Sequence, residues 1–334
     1  PAGVLLAGAA LCWSPAALAQ SADANAPGAP ADEAEEVDDA GVPVILVTAN
    51  KRAQSIQDVP VSVVALQPEK LEQAGIVSTA DLPQLVPGLT FNPAGEAKLN
   101  SFNIRGVGTY ALTATLESSV GVAVDGVPLA RVGGSITDMV DVERVEVLKG
   151  PQGMLFGKNA TAGLISIVNR KPEIGVDEGA INIEYGSYNE LNIDGVANVA
   201  LGEKAALRVT GWRYGHDGFI FGPDGQMYGQ KNSYGVRAGL ALEPTPDLSI
   251  TLIGQFDGRD ERSTANTHRL FTGTTPFGLI VEDWARSRGI VPGPENLQGE
   301  FYARPYAQSE NYYLTGLIDW DIGSGYVVSS ATSY

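Results

Sequence analysis

The stretch "DVERVEVLKGPQGMLFGKNATAGLISIVNRKP", residues 141–172, decides how the rest of the chain is read. Its centre, Leu148 to Gly163, holds four glycines, a lysine after a glycine and nearby hydroxyls, the grammar of a phosphate-cradling loop. The spacing removes that reading. A nucleotide loop needs G-x-x-x-x-G-K-[ST] opening a helix. Five residues before Gly157 stands Gln152, Gly153 is one residue too close, and Asn159 follows Lys158 where a hydroxyl is needed. Beyond "NATAG" comes "LISIVN", an apolar β-branched run that reads as a strand. Asn159-Ala160-Thr161 matches a glycosylation sequon by chance composition.

Around this stretch, residues 55–172 read as a compact α+β domain. "VPVSVVAL" (59–66) is a strand. "QPEKLEQAG" (67–75) places Pro68 at a helix start and Gly75 at its end. "STADLPQLVPGL" (78–89) is a short helix broken by prolines, and "NSFNIRGVG" (100–108) a strand. "SVGVAVDGVPLAR" (119–131) is a hairpin turning at Asp125-Gly126. "VERVEVLKG" sets Val145 and Val147 in alternation with Glu146 and Leu148, and "GLISIVNRK" closes the domain before Pro172. Asp141 with Glu143 reads as a pair of ordinary surface charges on a strand edge.

From Glu178 to residue 334 the texture becomes regular. Seven segments alternate: "AINIEYG", "ELNIDGVANVA", "ALRVTGWRY", "YGVRAGLALE", "LSITLIGQFD", "YYLTGLIDWD" and "YVVSSATSY". In the fourth, Tyr234, Val236, Ala238, Leu240 and Leu242 oppose Arg237 and Glu243. A soluble sandwich would bury the apolar face against a second sheet. A membrane barrel would turn it to lipid. Three features favour the barrel. The segments have the length a tilted strand needs to span. Tyr185, Trp212, Tyr214, Phe256, Trp320 and Tyr326 cluster near segment ends. "LGEK", "PTPD" and "GSG" are tight connections, whereas 218–230 and roughly 260–308 are long, the asymmetry of outer-membrane barrels.

The amino-terminal region supports export. "GVLLAGAALCWSPAALAQ" has the apolar character of a signal peptide, with Ala17 and Ala19 before Gln20, so residues 1–19 are predicted to be a leader whose basic start is missing. Leu11 before Cys12 does not suit a lipid anchor. Residues 20–43, rich in Ala, Pro, Asp and Glu, cannot bury a core and read as a disordered acidic linker. Val44, Ile45, Leu46, Val47 and Thr48 then form a short sticky run before Lys51 and Arg52. Such a run is either a strand offered to another chain or the first strand of the next domain.

Composition excludes several classes. Acidic side chains number 39 against 22 basic, a formal charge of -17, which opposes a nucleic-acid partner. One cysteine and two histidines leave no Cys/His zinc site. No G-x-S-x-G elbow or calcium loop is present, so neither catalysis nor a cofactor is expected.

"VTANKRAQSIQDVPVSVVAL", "PGLTF", "NIRGVG", "SVGVAVDGVPLAR", the opening stretch and "YGSYN" occur in this order. Together they resemble the TonB-dependent outer-membrane receptors, energised importers of iron–siderophore complexes and other scarce solutes. The likeness is close from Val44 to about Asn189 and looser beyond. It implies a plug over 55–172 inside a barrel of about 22 strands, of which 178–334 would supply about seven, the substrate site lying largely beyond residue 334. It implies a bacterial outer-membrane location in contact with lipid. Val44 to Thr48 would be the TonB box, bound by the TonB energy-coupling protein and its inner-membrane motor through β-augmentation. Arg105 in "IRG" and Lys149 in "LKG" match plug positions that this family pairs with barrel carboxylates; the alternative is solvated charges on strand ends. Gly150, Gly153 and Gly157 would shape tight loops near the barrel wall. The short stretch between Gln20 and Val44 leaves no room for a further periplasmic domain, and the plug has no histidine for haem. The leading expectation is therefore import of an iron–siderophore complex. Cobalamin, an oligosaccharide or another metabolite is the alternative cargo, and a passive porin or adhesin the alternative class. The segment "HRLFTGTTPFGLIVEDWARSRG" (268–289) carries aromatics and arginines that either grip solute or pack as an ordinary loop.

Overall fold

The computed structural model describes residues 46–48, 54–92, 100–109, 117–129, 137–222, 225–261, 286–287, 289–291, 293, 295–298 and 307–334. The leader and linker expectations, and Val44, Ile45, Lys51 and Arg52, lie outside them.

The first body is built on strand β9 (Val142–Lys149), the "VERVEVLK" of the opening stretch. Its neighbours, with the short strands that precede them, are β1 (Leu46–Val47), β2 (Gln54–Ser55), β3 (Ser62–Leu66), β4 (Leu89–Asn92), β5 (Ser101–Ile104), β6 (Val107–Gly108), β7 (Val120–Val124), β8 (Val127–Pro128) and β10 (Gly163–Asn169). The main sheet runs β3-β9-β10-β7-β8, and β4-β5-β6 form a second, smaller one. β10 is antiparallel to β9 and parallel to β7. Every residue of β10 is buried, as a central strand covered on both faces must be.

Local chemistry sets the connections. Pro68 begins helix α1 (Pro68–Gln73), and Gly75 ends it at φ 65°. A 3₁₀ helix at Thr79–Gln84 is fixed by a capping box in which Asp81 accepts from the Ser78 backbone at 2.9 Å. Asp125 and Gly126, at φ 50° and 79°, supply the left-handed pair that a two-residue hairpin turn requires. Leu66, Leu71, Leu82, Val86, Phe102, Ile104, Val145, Ile165 and Ile167 close one core, each Leu or Ile contributing roughly 1.5–3 kcal/mol on full burial.

The glycine-rich loop departs from expectation. It contains one short helical turn, α2 (Gly153–Phe156). Gly150 and Gly157 do take positive φ, 121° and 84°, but Gly153 has an ordinary backbone with no atom within 4 Å of a Cβ placed there. The glycine that packing demands is Gly163, where a Cβ would stand 2.5 Å from the Leu148 carbonyl oxygen.

The second body is an antiparallel meander of seven strands in the order β11-β12-β13-β16-β17-β18-β19. These are β11 (Glu178–Tyr185), β12 (Leu191–Ala200), β13 (Ala205–His216), β16 (Lys231–Thr245), β17 (Leu248–Glu261), β18 (Ala307–Asp321) and β19 (Val327–Ser333). A small hairpin, β14 (Ile220–Phe221) with β15 (Met227–Tyr228), sits in the connection between β13 and β16. The tight turns 201–204, 246–247 and 322–326 share one end of the sheet with the entry from the first body; the longer connections share the other.

Burial decides between sandwich and barrel. Arg208, Arg237, Asn198, Thr210 and Thr251 are buried on the inner face. Ile181 and Ile183 on the outer face are each 60% exposed, and Leu314 is 63% exposed. Polar residues inside and aliphatic residues outside are the reverse of a soluble sheet and the pattern of a membrane barrel wall. Among the described residues no helix is long and apolar enough to cross a membrane. A charge on the outer face at mid-strand should therefore be costly. Leu252→Arg is expected to lower stability by about 2–4 kcal/mol in bilayers, read by urea titration of protein folded into lipid vesicles.

Candidate functional site

The first candidate is the sticky run. Leu46 pairs with Ser55 and Val47 with Gln54, so β1 is docked on the domain and not held on a free leash. The described part of the run, Leu46 to Thr48, thus lies against the chain's own residues. Val47 is fully buried and packs with Val59, Ala123, Leu148, Phe156 and Leu164, while Leu46 stays 42% exposed. Thr48 completes the contact. Its backbone N–H and its hydroxyl both donate to Glu146 Oε1, at 2.8 and 2.9 Å. Arg144 Nε donates to the same oxygen at 2.9 Å. Glu146 is fully buried, and its Oε2 has no hydrogen-bond partner among the described residues. The packing of β1 against β9, with Arg144 of β9 itself at the same oxygen, is what buries Glu146.

The two anticipated lock cations meet at one edge. Ser62 pairs with Lys149 across β3 and β9, and Arg105 donates to Ser62 Oγ at 3.0 Å. Lys149 Nζ donates to the Pro87 carbonyl at 2.8 Å, and the Arg105 backbone N–H donates to Gly88 at 2.7 Å. Neither has a carboxylate partner among the described residues.

A charged seam does join the two bodies, with the opposite polarity. Asp141, read from sequence as a surface charge, has a side chain only 6% exposed. Arg208 grips it with two bonds, NH2 to Oδ1 at 2.6 Å and Nε to Oδ2 at 2.8 Å. Thr210 Oγ1 adds a third at 2.8 Å, and Arg208 NH1 donates to Glu178 Oε1 at 2.6 Å. Arg237 donates to Asn169 Oδ1 at 2.9 Å and to the carbonyls of Val140 and Asp141 at 2.8 and 3.1 Å. Asn169 in turn donates through backbone and side chain to the two Asp125 oxygens. Burial pushes the Asp125 carboxyl above its ordinary range, against the two hydrogen bonds from Asn169. Higher on the wall, Arg259 NH2 and Trp212 Nε1 donate to Asp138 at 2.8 and 3.1 Å. The Trp212 ring reaches Asp138 because it lies against Gly235, where a Cβ would come within 2.3 Å of it.

This seam was missed, yet a signal existed. Arg208 and Arg237 fall on the polar face of alternating strands, and a buried guanidinium needs an acid. "TDMVDVERV" offered Asp138 and Asp141 just before the central strand. Above the seam, Tyr214 donates to Asp194 at 3.0 Å and Asn311 to Asp257 at 2.7 Å, giving this sector of the inner wall an acidic lining. No group of three or more His, Cys, Asp or Glu able to hold a metal occurs among the described residues. The segment 268–289 lies almost wholly outside them.

Comparison with known proteins agrees with this division. Residues 55–164 match the family TonB-dependent Receptor Plug Domain. The chain is 34% identical over 157 residues to the pesticin receptor of Yersinia pestis, covering 45% of this chain and 23% of the relative. It is 31% identical over 134 residues to the vitamin B12 transporter BtuB of Vibrio vulnificus, covering 39% and 21%. The fold matches the ferric yersiniabactin uptake receptor FyuA of Yersinia pestis with TM-score 0.68 and 20% identity, over 82% of this chain and 40% of that one. It matches the ferripyoverdine receptor of the Pseudomonas aeruginosa outer membrane with TM-score 0.68 and 17% identity, over 86% and 36%. The chain thus spans less than a quarter of the curated relatives' length. Its second body shares the strand-meander fold of those solved outer-membrane receptors, and the matched proteins are receptors and transporters, not enzymes.

Removing Asp141 should leave two arginines buried without their acid. Asp141→Ala in the full-length receptor is expected to cost about 3–5 kcal/mol and to loosen the plug. Denaturant titration with protease protection of the plug reads both effects, and Glu143→Ala, half-exposed beside it, should change neither.

Proposed function

We propose that the chain belongs to an energised outer-membrane importer whose leading cargo is an iron–siderophore complex, with Val44 to Thr48 as the segment gripped by the TonB protein. The observation that carries this reading is the docking of β1. Val47 and Thr48 sit on the central strand β9 through a buried side chain and two hydrogen bonds to Glu146. A tug on this run is delivered directly to the middle of the plug. Leu46 remains partly exposed, so a partner strand has a starting point for pairing.

In the same reading, Arg105 and Lys149 pair with carboxylates of barrel strands beyond residue 334. Their convergence at the Ser62 and Pro87-Gly88 edge supports it, since among the described residues both cations are held by neutral acceptors alone. The cargo assignment draws on relatives whose names specify ferric yersiniabactin and ferripyoverdine. Cobalamin is the second reading, carried by the likeness to a vitamin B12 transporter.

Deleting residues 44–48 from the full-length receptor is expected to abolish uptake of radiolabelled iron–siderophore while leaving cell-surface binding intact. Uptake that survives the deletion removes the coupling role. Running labelled cobalamin beside a siderophore panel in the intact strain separates the two cargoes.

A further inference from the structure

Four arginines lie on the described barrel strands, and three of them face the plug. Arg208, Arg237 and Arg259 each bond to it. Arg213 does not. It lies on β13 with the opposite parity, is exposed, and has no hydrogen bond or ion pair among the described residues.

Its surroundings are those of the lipid face. Across the strands Arg213 is opposite Ile193 on β12 and Tyr234 on β16. Tyr234 heads a row of outward rings, with Phe256 at 6.0 Å and Tyr312 a further 5.0 Å on. This row lies toward the end of the sheet that carries the long connections, where such rings mark the outer membrane–water boundary. One step toward the membrane centre, Gly211 is opposite Gly195 on β12 and Val236 on β16. A Cβ placed on Gly211 would approach only the Gly235 carbonyl, at 4.0 Å. The result is a shallow trough floored by two glycines and walled by Ile193, Val209 and Val236, all exposed. A cation stands at its upper end.

An unpaired guanidinium on the lipid face must reach a counter-charge at the boundary. A phosphate suits it, since the planar fork of arginine binds two phosphate oxygens at once. We propose that Arg213 and the Gly195–Gly211 trough form a binding site for a phosphorylated lipid of the outer leaflet. The phosphate lies on Arg213 and an acyl chain lies along the glycine floor. This inference rests on the membrane placement of the barrel and not on the cargo or the coupling segment.

The test uses the full-length receptor in detergent, with retained lipid read by native mass spectrometry. Three probes are added: bisphosphorylated lipid A, the same lipid with its phosphates removed, and inorganic phosphate. The wild type is expected to retain about fivefold more of the phosphorylated lipid than of the dephosphorylated one, the effect of one cation at a charged surface. Arg213→Gln should lose that preference, and Arg213→Lys should keep part of it. Gly211→Leu should reduce retention of both lipids. Heat-modifiable gel mobility confirms that each variant folds. Equal retention by wild type and Arg213→Gln, or displacement of the lipid by inorganic phosphate, would overturn the site.

Discussion

A guanidinium inside a barrel wall has to be met by an acid, and the molecule is organised around that requirement. Arg208 and Arg237 are buried because the plug covers them, and they are tolerable there because Asp141 and the carbonyls beside it accept their hydrogen bonds. The wall's polar face and the plug therefore depend on each other. Replacing the acid alone would strand charge in a dry seam, which is far more costly than losing a surface ion pair. Few residues separate the end of β10 at Asn169 from the start of β11 at Glu178, so plug and wall meet locally. Asn169 and Glu178 themselves join the seam.

The same strand that begins at this seam carries the contact to β1. Asp141 precedes β9, and Glu146 sits in its middle, about 16 Å farther along an extended chain. One end of β9 is clamped to the wall by two arginines; its centre holds Thr48. Force entering at β1 would meet a short pairing, one buried valine and one bifurcated acceptor before it met the seam. The contact at Thr48 is the weaker of the two and would yield first.

Much of this architecture is written in the sequence. Alternation over 178–334, with the long connections at one end only, gives the wall and its orientation. Asp125-Gly126, Pro68 and Ser78 with Asp81 mark their own turn and caps, because local backbone chemistry settles them. The charged seam is less legible for a physical reason. β9 is covered on both faces, so the alternation in "VERVEV" no longer separates inside from outside. Glu146 and Asp141 look like solvated charges until their partners, roughly 60 to 100 residues away in the chain, are in place. The sticky run was ambiguous for a related reason: a strand that docks and a strand that is offered have the same composition. The anticipated lock named cations on the plug, whereas among the described residues the plug supplies the acids and the wall the cations.

The central claim is that β1 transmits force to the plug by leaving Glu146. It is tested most directly by tying the two together. Cys12 is the one cysteine in these 334 residues; a Thr48→Cys, Glu146→Cys pair, made in the full-length receptor with every other cysteine replaced by serine, gives an assignable disulfide. Oxidised receptor should bind its substrate and fail to import it, and reduction should restore import to the level of the unoxidised double variant. Import by the oxidised form at that same level would contradict the account.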